Sequence, residues 1–299
     1  MKILQNNIQS INTSLTFLRH TVQKLNIDII LLQEIWHPID KSINIHNYTQ
    51  PILKLRKGSE GGGVAIISRR NVKQVQLKDY EMEGLEAVWA DVKVGNIRTV
   101  VGSVYIAPGD DNALELLDEV IGKILQVHDT VVIGMDANSR NVIWDDNCLG
   151  ISCYRKSIRM GVRLEEILQK HSLLIHNNGF PTFRSGTITT APDVTLSKGI
   201  TQYGNITWTI IDDDLGSPHE GIVMEIGKKD TDVKREVIDW RQFDWPAYKS
   251  LTGNRLSLLQ EQWTNSDDLD VDCMVSELCK IVGFLVYNFI CPLNLHIRS

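Results

Sequence analysis

Three apolar runs in this chain end on a polar or acidic side chain: KILQNN at residues 2–7, DIILLQE at 28–34 and VVIGMD at 131–136. Runs this dense read as strands buried on both faces, which belong to sheets with helices or a second sheet packed over them. Their last residues then sit at the lip of a core. Taken singly, Asp136-Ala137-Asn138 reads as a turn, because Asp and Asn bond to their own backbone there. Glu34 asks for more. An isolated buried charge is costly, so this carboxylate must reach water, a partner or a cation, and a structural salt bridge and a metal ligand both meet that need.

The remaining pattern places these lips in a layered domain. From residue 1 to about 227, short strands alternate with helices, the order of an α/β fold. Leu15, Leu18, Val22 and Leu25 recur at helical spacing after the first strand. GGGVAIISR (61–69), EAVWADVKV (86–94) and IRTVVGSVYIAP (97–108) read as strands, the last two joined by a Gly95-Asn96 hairpin turn. Asp110 or Asp111 is placed to cap a helix running to about Gln126, and Met160, Leu164, Ile167 and Leu168 share one face of a helix over 157–170. SLLIHN, PTF, APDVTLS, NITWTIID and GIVMEIG follow as short strands, so two sheets with helices outside them are expected. Past Gly227, KKDTDVKREVIDW is a charged linker and 246–299 has helical patches without strand alternation, which predicts a domain boundary near 228.

Composition narrows the function classes. With 299 residues, 42% apolar and 23% charged, the chain has material for one large core plus an appendage, which excludes a disordered or fibrous protein. A net charge of −6 excludes a surface that holds nucleic acid by charge alone, so any such contact has to be local. Cys148, Cys153, Cys273, Cys279 and Cys291 are odd in number and contain no C-x-x-C pair; reduced thiols are expected, with neither a disulfide framework nor a zinc site. ILQNNIQSIN near the N-terminus interrupts any signal-peptide core, and IVGFLVYNFICPL (281–293) falls short of the about 20 apolar residues of a membrane span. An intracellular protein without a membrane partner is expected.

The acidic lips have company. GSVYIAP delivers Tyr105 from a strand end, PTF holds Thr182, APDVTL opens a strand with Asp193, and LGSPHEGIVM puts His219 just ahead of the last strand. Each is ordinary alone. In fixed order over residues 7–219, Asn-Ile, Gln-Glu, Tyr-x-Ala-Pro, Asp-x-Asn, Asp-Val-Thr-Leu and Ser-x-His form a set far more specific than any member. The set resembles the endonuclease/exonuclease/phosphatase superfamily, which includes abasic-site endonucleases and pancreatic deoxyribonuclease. MDANSRNVIW, PTF and DVTL look like the endonuclease domain of non-LTR, LINE-type retrotransposons of insects. The resemblance covers about residues 1–227; IDWRQFDWPAY, beyond it, looks like the linker toward a reverse transcriptase, so 228–299 reads as a linker and partly helical tail left from such a connection.

The resemblance implies a four-layered α/β sandwich and a magnesium-dependent attack of water on a DNA phosphodiester, with manganese able to replace magnesium. It implies no small-molecule cofactor and a nuclear location. Residue by residue, Glu34 matches the principal metal ligand, with Asn7 close by. Asp136 matches the residue that positions and deprotonates the water, and Asn138 a phosphate and water contact. Asp193 matches the partner that orients His219, while Tyr105 and Thr182 match donors to the phosphate. One position departs: the family reads Ser-Asp-His before the last strand, and this chain reads Ser217-Pro218-His219. The missing Asp ordinarily lies near the metal, so its loss weakens metal binding, or Pro218 stiffens the turn that presents His219. Lys54-Leu55-Arg56-Lys57, Arg69-Arg70 and Arg155-Lys156-x-x-Arg159 are expected to supply local phosphate contacts on loops. Nicking at a target, cleavage at abasic sites and hydrolysis of a phosphorylated lipid headgroup are the competing substrates, and the retrotransposon-like words favour nicking. A truncated or domesticated copy that binds DNA without cleaving it is the alternative from another class.

Overall fold

The computed structural model describes residues 1–36, 42–56, 61–146, 148 and 155–228, together with the helical residues 253, 257 and 260. The charged linker past Lys228, the 281–293 segment, Lys57 and every cysteine but the buried Cys148 lie outside them. The chain divides into two compact units, 1–229 and 230–299. In chain order the first unit runs β1 (Lys2–Asn7), α1 (Ile11–Lys24), β2 (Ile29–Gln33), β3 (Ile52–Lys54), β4 (Val64–Ser68), β5 (Lys73–Gln76), β6 (Glu86–Val94), β7 (Ile97–Tyr105) and α2 (Asp111–Val127). It continues with β8 (Val131–Asp136), α3 (Arg155–His171), β9 (Leu174–Ile175), β10 (Phe183–Ser185), β11 (Ile188–Thr190), β12 (Asp193–Lys198), β13 (Asn205–Ile210) and β14 (Ile222–Lys228).

The strands form two six-stranded sheets, ordered β13-β14-β1-β2-β4-β3 and β5-β6-β7-β8-β12-β9, with β10-β11 as a separate hairpin. Because side chains alternate across a strand, each apolar run feeds two cores at once. In the first sheet Ile3, Ile29, Leu31 and Ile66 meet Val88, Val101 and Val132 of the second sheet between the layers. Leu4, Ile30, Leu32 and Ile67 face the other way, onto Leu18 and Val22 of α1. The second sheet packs Trp89, Val104, Ile133 and Val194 against Leu117 and Ile121 of α2 and Leu164 of α3. Helix, sheet, sheet and helices thus make the expected four-layered α/β sandwich. Asp110 caps α2 by accepting from Ala113 N at 3.0 Å. The Gly95-Asn96 turn closes the β6–β7 hairpin, with Gly95 at φ +60°.

Strands β3, β5 and β11 were not legible as strands. β3 and β11 span only three residues, and β5, KQVQ, is an edge strand that alternates exposed and half-buried positions. Pairing with a neighbour, rather than burial of an apolar run, makes them strands.

Two parallel pairs set the position of the lips. β1 runs parallel to β2 and β7 parallel to β8, so Asn7, Gln33, Tyr105 and Asp136 all end at one edge of the sandwich. β12 is antiparallel to β8 and starts there, with Asp193 opposite Asp136. A polar seam crosses the inter-sheet core behind this edge. Gln5 Nε2 donates to Met135 O at 3.0 Å, Thr195 Oγ1 donates to Gln5 Oε1 at 2.8 Å, and Gln33 Nε2 donates to Ser103 Oγ at 2.9 Å. Such bonds fix one register between the sheets, since a slipped pairing leaves buried amides unsatisfied.

Candidate active site

All eight residues singled out in the sequence arrive at this edge. Asp136 is 1% exposed, and both its oxygens are engaged. Oδ2 accepts from Asn7 Nδ2 at 2.7 Å, and Oδ1 accepts from the Asn138 backbone N at 3.1 Å. The second bond needs Asn138 in a left-handed conformation, φ +44°, which asparagine tolerates better than most residues. On the next strand, Asp193 Oδ2 accepts from Thr182 Oγ1 at 2.7 Å and pairs with His219 Nδ1 at 2.9 Å. Phe183 packs its ring edgewise on His219, centroids 4.8 Å apart. Tyr105 lies beside Asp136 in the β7–β8 register. Glu34 stands half-buried at the lip, at φ +49°, and its Oε2 accepts from Trp36 Nε1 at 3.2 Å.

Three expectations shift in detail. The Thr182 hydroxyl, expected on the phosphate, is fully buried and donates to Asp193, so here it orients that carboxylate. The Asn7 amide donates to Asp136, leaving it a support of the carboxylate. The basic clusters divide: Arg69-Arg70 follow Ser68, which pairs with Ile29, and therefore leave from the edge opposite the site. Lys54 is level with Val64 and Gln33 at the site edge. Lys156 crosses Gly109, close behind Tyr105, so that a Cβ on that glycine would lie 1.6 Å from its Cε.

Electrostatics separates the proton-carrying groups. Burial, then the charge of Asp193, raises the Asp136 carboxyl to about 7 against the pull of His219 and Asn7. Burial alone would lower His219, but the Asp193 carboxylate outweighs it and raises the imidazolium to about 9. Tyr105 is pushed well up by burial and by the charges of Glu34 and Asp136. Ligand atoms of Asp136, Asp193 and His219 lie within 4.8 Å of one another, and Asp193 Oδ1 is buried without a hydrogen-bond partner. That orphan oxygen and the excess of carboxylates fit a hard divalent cation.

The Ser217-Pro218-His219 turn ties the last strand to the first. Ser217 Oγ donates to Asn7 O at 2.6 Å and accepts from His219 N at 3.2 Å, while Asn6 Nδ2 donates to His219 O at 3.0 Å. Ser217, Asn6, Gln5 and Gln33 act on the site from behind. For Gln5, Asn6 and Gln33 the signal in the sequence was a polar side chain inside an apolar strand, which must find a partner when buried; Ser217, in a turn, had no such signal.

The two-sheet fold is one that solved endonucleases and a DNA 3′ phosphatase share. Residues 99–223 match the family described as endonuclease-reverse transcriptase. The endonuclease domain of TRAS1, a telomere-specific non-LTR retrotransposon, is similar at TM-score 0.60 and 22% identity, over 75% of this chain and 97% of that one. The abasic endonuclease LMAP from Leishmania major is similar at TM-score 0.60 and 12% identity, over 75% and 86%. The catalytic domain of Xenopus laevis APE2 gives 0.57 and 18%, over 76% and 92%. A 3′ phosphatase from Neisseria, solved with a product DNA hairpin, gives 0.52 and 17%, over 76% and 99%. No curated protein sequence matches significantly. Among the described residues no helix is long and apolar enough to cross a membrane.

Proposed function

We propose that residues 1–229 form a magnesium-dependent endonuclease that nicks DNA, as in the target-site nicking step of non-LTR retrotransposition, acting in the nucleus. The observation that carries this reading is the buried Asp136, supported by Asn7 and Asn138 and set beside the Asp193–His219 pair. A carboxyl raised to about 7 is matched to removing a proton from water near neutral pH. An imidazolium raised to about 9 stays charged there; with Nδ1 engaged by Asp193, Nε2–H is left to face the phosphate oxygens. Tyr105, kept neutral, donates its hydroxyl, and Asn138 keeps its side-chain oxygen for water because its Nδ2 is bonded to Ile106 O at 3.0 Å. Glu34, with the oxygens of Asp136 and Asp193 behind it, would hold Mg²⁺, Mn²⁺ being able to replace it. Bound there, the cation offsets charge on the phosphate.

Incubation of the full chain with supercoiled plasmid, in magnesium and in excess chelator, tests the proposal. Nicked circles form only with magnesium; nicking that persists in chelator removes the metal assignment. No nicking under either condition favours the DNA-binding alternative, to which Pro218 at the usual Asp position points. The likeness to an endonuclease-reverse transcriptase is in keeping with reading 228–299 as a linker and tail left from a connection to a reverse transcriptase.

A further inference from the structure

Arg56, just past β3, and residues 61–63, just before β4, meet beside the site edge. From the contacts of Arg56 we infer that it is a positioning residue for Tyr105, clamped by Glu86 and seated in a hollow made by Gly62; the inference rests on the nicking reading above. Arg56 Nε pairs with Glu86 Oε1 at 2.5 Å, and the other oxygen of Glu86 accepts from Gly63 N at 2.9 Å. Glu86 is directly opposite Tyr105 in the β6–β7 register. The guanidinium carbon therefore comes to rest 5.2 Å from the centroid of the Tyr105 ring, within the range of a cation–π contact. The ion pair with Glu86 and the contact with Tyr105, whose hydroxyl the guanidinium also reaches, together account for the placement of Arg56.

Glycine makes the seat. A Cβ at position 62 would lie 2.4 Å from Arg56 Cζ and Nε, and Gly62 adopts φ +72°, which other residues rarely adopt. Gly61, at φ +88°, does the same for Trp36: its missing Cβ would sit 3.2 Å from the indole Nε1 that donates to Glu34. Two successive glycines thus let one segment hold two arms, one against Tyr105 and one against Glu34. Tyr105 sits near two carboxylates, Glu34 and Asp136, either of which can draw its hydroxyl away from a substrate oxygen. A cation fixed over the ring face opposes that turn.

Kinetics of plasmid nicking by the full chain, with Arg56→Ala, Arg56→Lys, Gly62→Ala and Glu86→Gln, tests this beside NMR of labelled tyrosine rings, with Tyr105 assigned through Tyr105→Phe. Arg56→Ala lowers kcat roughly 10-fold or more, leaves KM within about threefold and moves the Tyr105 resonances. Gly62→Ala reproduces both effects. Arg56→Lys does not restore them, since an ammonium cannot keep fork and stack together. Arg56→Ala combined with Tyr105→Phe is no slower than Tyr105→Phe alone. Glu86→Gln, which keeps the side-chain shape, gives the same effects more weakly and serves if Arg56→Ala does not fold. A rise in KM at constant kcat, or losses that multiply with Tyr105→Phe, would show that Arg56 binds substrate directly and overturn the inference. Unmoved Tyr105 resonances overturn it as well. Wild-type protein that does not nick overturns the proposed function, and the ring resonances still read the contact.

Discussion

Glu34 and Asp136 end apolar strands at the same edge, one in each sheet, yet they are built in opposite ways. Asp136 lies between Tyr105 and Asp193 in register, both its oxygens are bonded, and the loop after it is pinned. Ala137 N donates to Pro192 O at 2.9 Å, and Arg140 and Asp145, 4% and 0% exposed, pair at 2.7 Å inside that loop. Glu34 is half-buried and follows its strand in a left-handed conformation. Its segment is held by the backbone bonds of Ile35 N and Trp36 N to the carbonyls of Gly63 and Gly62, by the buried Ile35 side chain and by the Trp36 indole on Glu34. Trp36 itself is 43% exposed. A sealed carboxylate has its proton affinity set by its walls, whereas an open one exchanges ligands with water. On the proposed reading, Asp136 is therefore the base and Glu34 the cation ligand that exchanges.

Removing the sealed carboxylate sharpens the contrast most. Asp136→Asn should lower kcat for nicking by about 10² to 10⁴, the worth of a general base, with DNA binding retained in gel-shift assays. Equal loss of DNA binding would mean that the residue holds the fold. Breaking the pinned loop should show in stability instead: Arg140→Ala removes the buried pair with Asp145 and should lower unfolding free energy by roughly 3 to 5 kcal/mol, read from denaturant melts. At the open corner, Glu34→Ala should raise the magnesium needed for half-maximal nicking while saturating metal recovers much of the rate. A Glu34 variant that no magnesium concentration rescues would erase the distinction between the corners.

The sealed corner should also carry the stronger pH signature. His219 rises from 6.5 to about 9 on folding, so its stabilisation is complete below 6.5 and is lost as pH climbs through 9. Asp136 rises from 3.8 to about 7, so its contribution is likewise lost with rising pH, between those values. The melting temperature in chelator should therefore fall from pH 6 to 9, and Asp136→Asn should flatten the part below 7. A metal-free melting curve that rises with pH would contradict both assignments. The smallest expected effect is at Pro218. Pro218→Asp should lower the magnesium requirement with a slightly lower melting temperature if a ligand was lost, or lower only the melting temperature, by about 0.4 to 1 kcal/mol, if proline merely pre-sets the turn.

What the sequence revealed follows from how each part is stabilised. The central strands, α1, α2 and α3 were legible because each buries a periodic apolar face. β3, β5 and β11 were not, because pairing rather than composition makes them strands. Within the site, Asn7, Glu34, Asp136 and Asp193 stood out as polar ends of buried runs. The Thr182 hydroxyl, expected toward a phosphate, donates to Asp193, a partner that depends on the chain folding back from β10 toward β12. The far placement of Arg69-Arg70 depends on β4 running against β2, a direction no local pattern encodes.

β14 completes the first sheet by pairing Glu225 with Lys2 and Ile222 with Gln5, strands from opposite ends of the unit. His219 enters with it, one turn earlier, bound to Asn6 and, through Ser217, to Asn7. During synthesis the first strand must wait for nearly the whole unit before its neighbour on that side exists, and such distant pairings are slow to form. A ribosome-bound chain that has not yet released residue 228 therefore has neither a closed first sheet nor a settled Asp193–His219 pair.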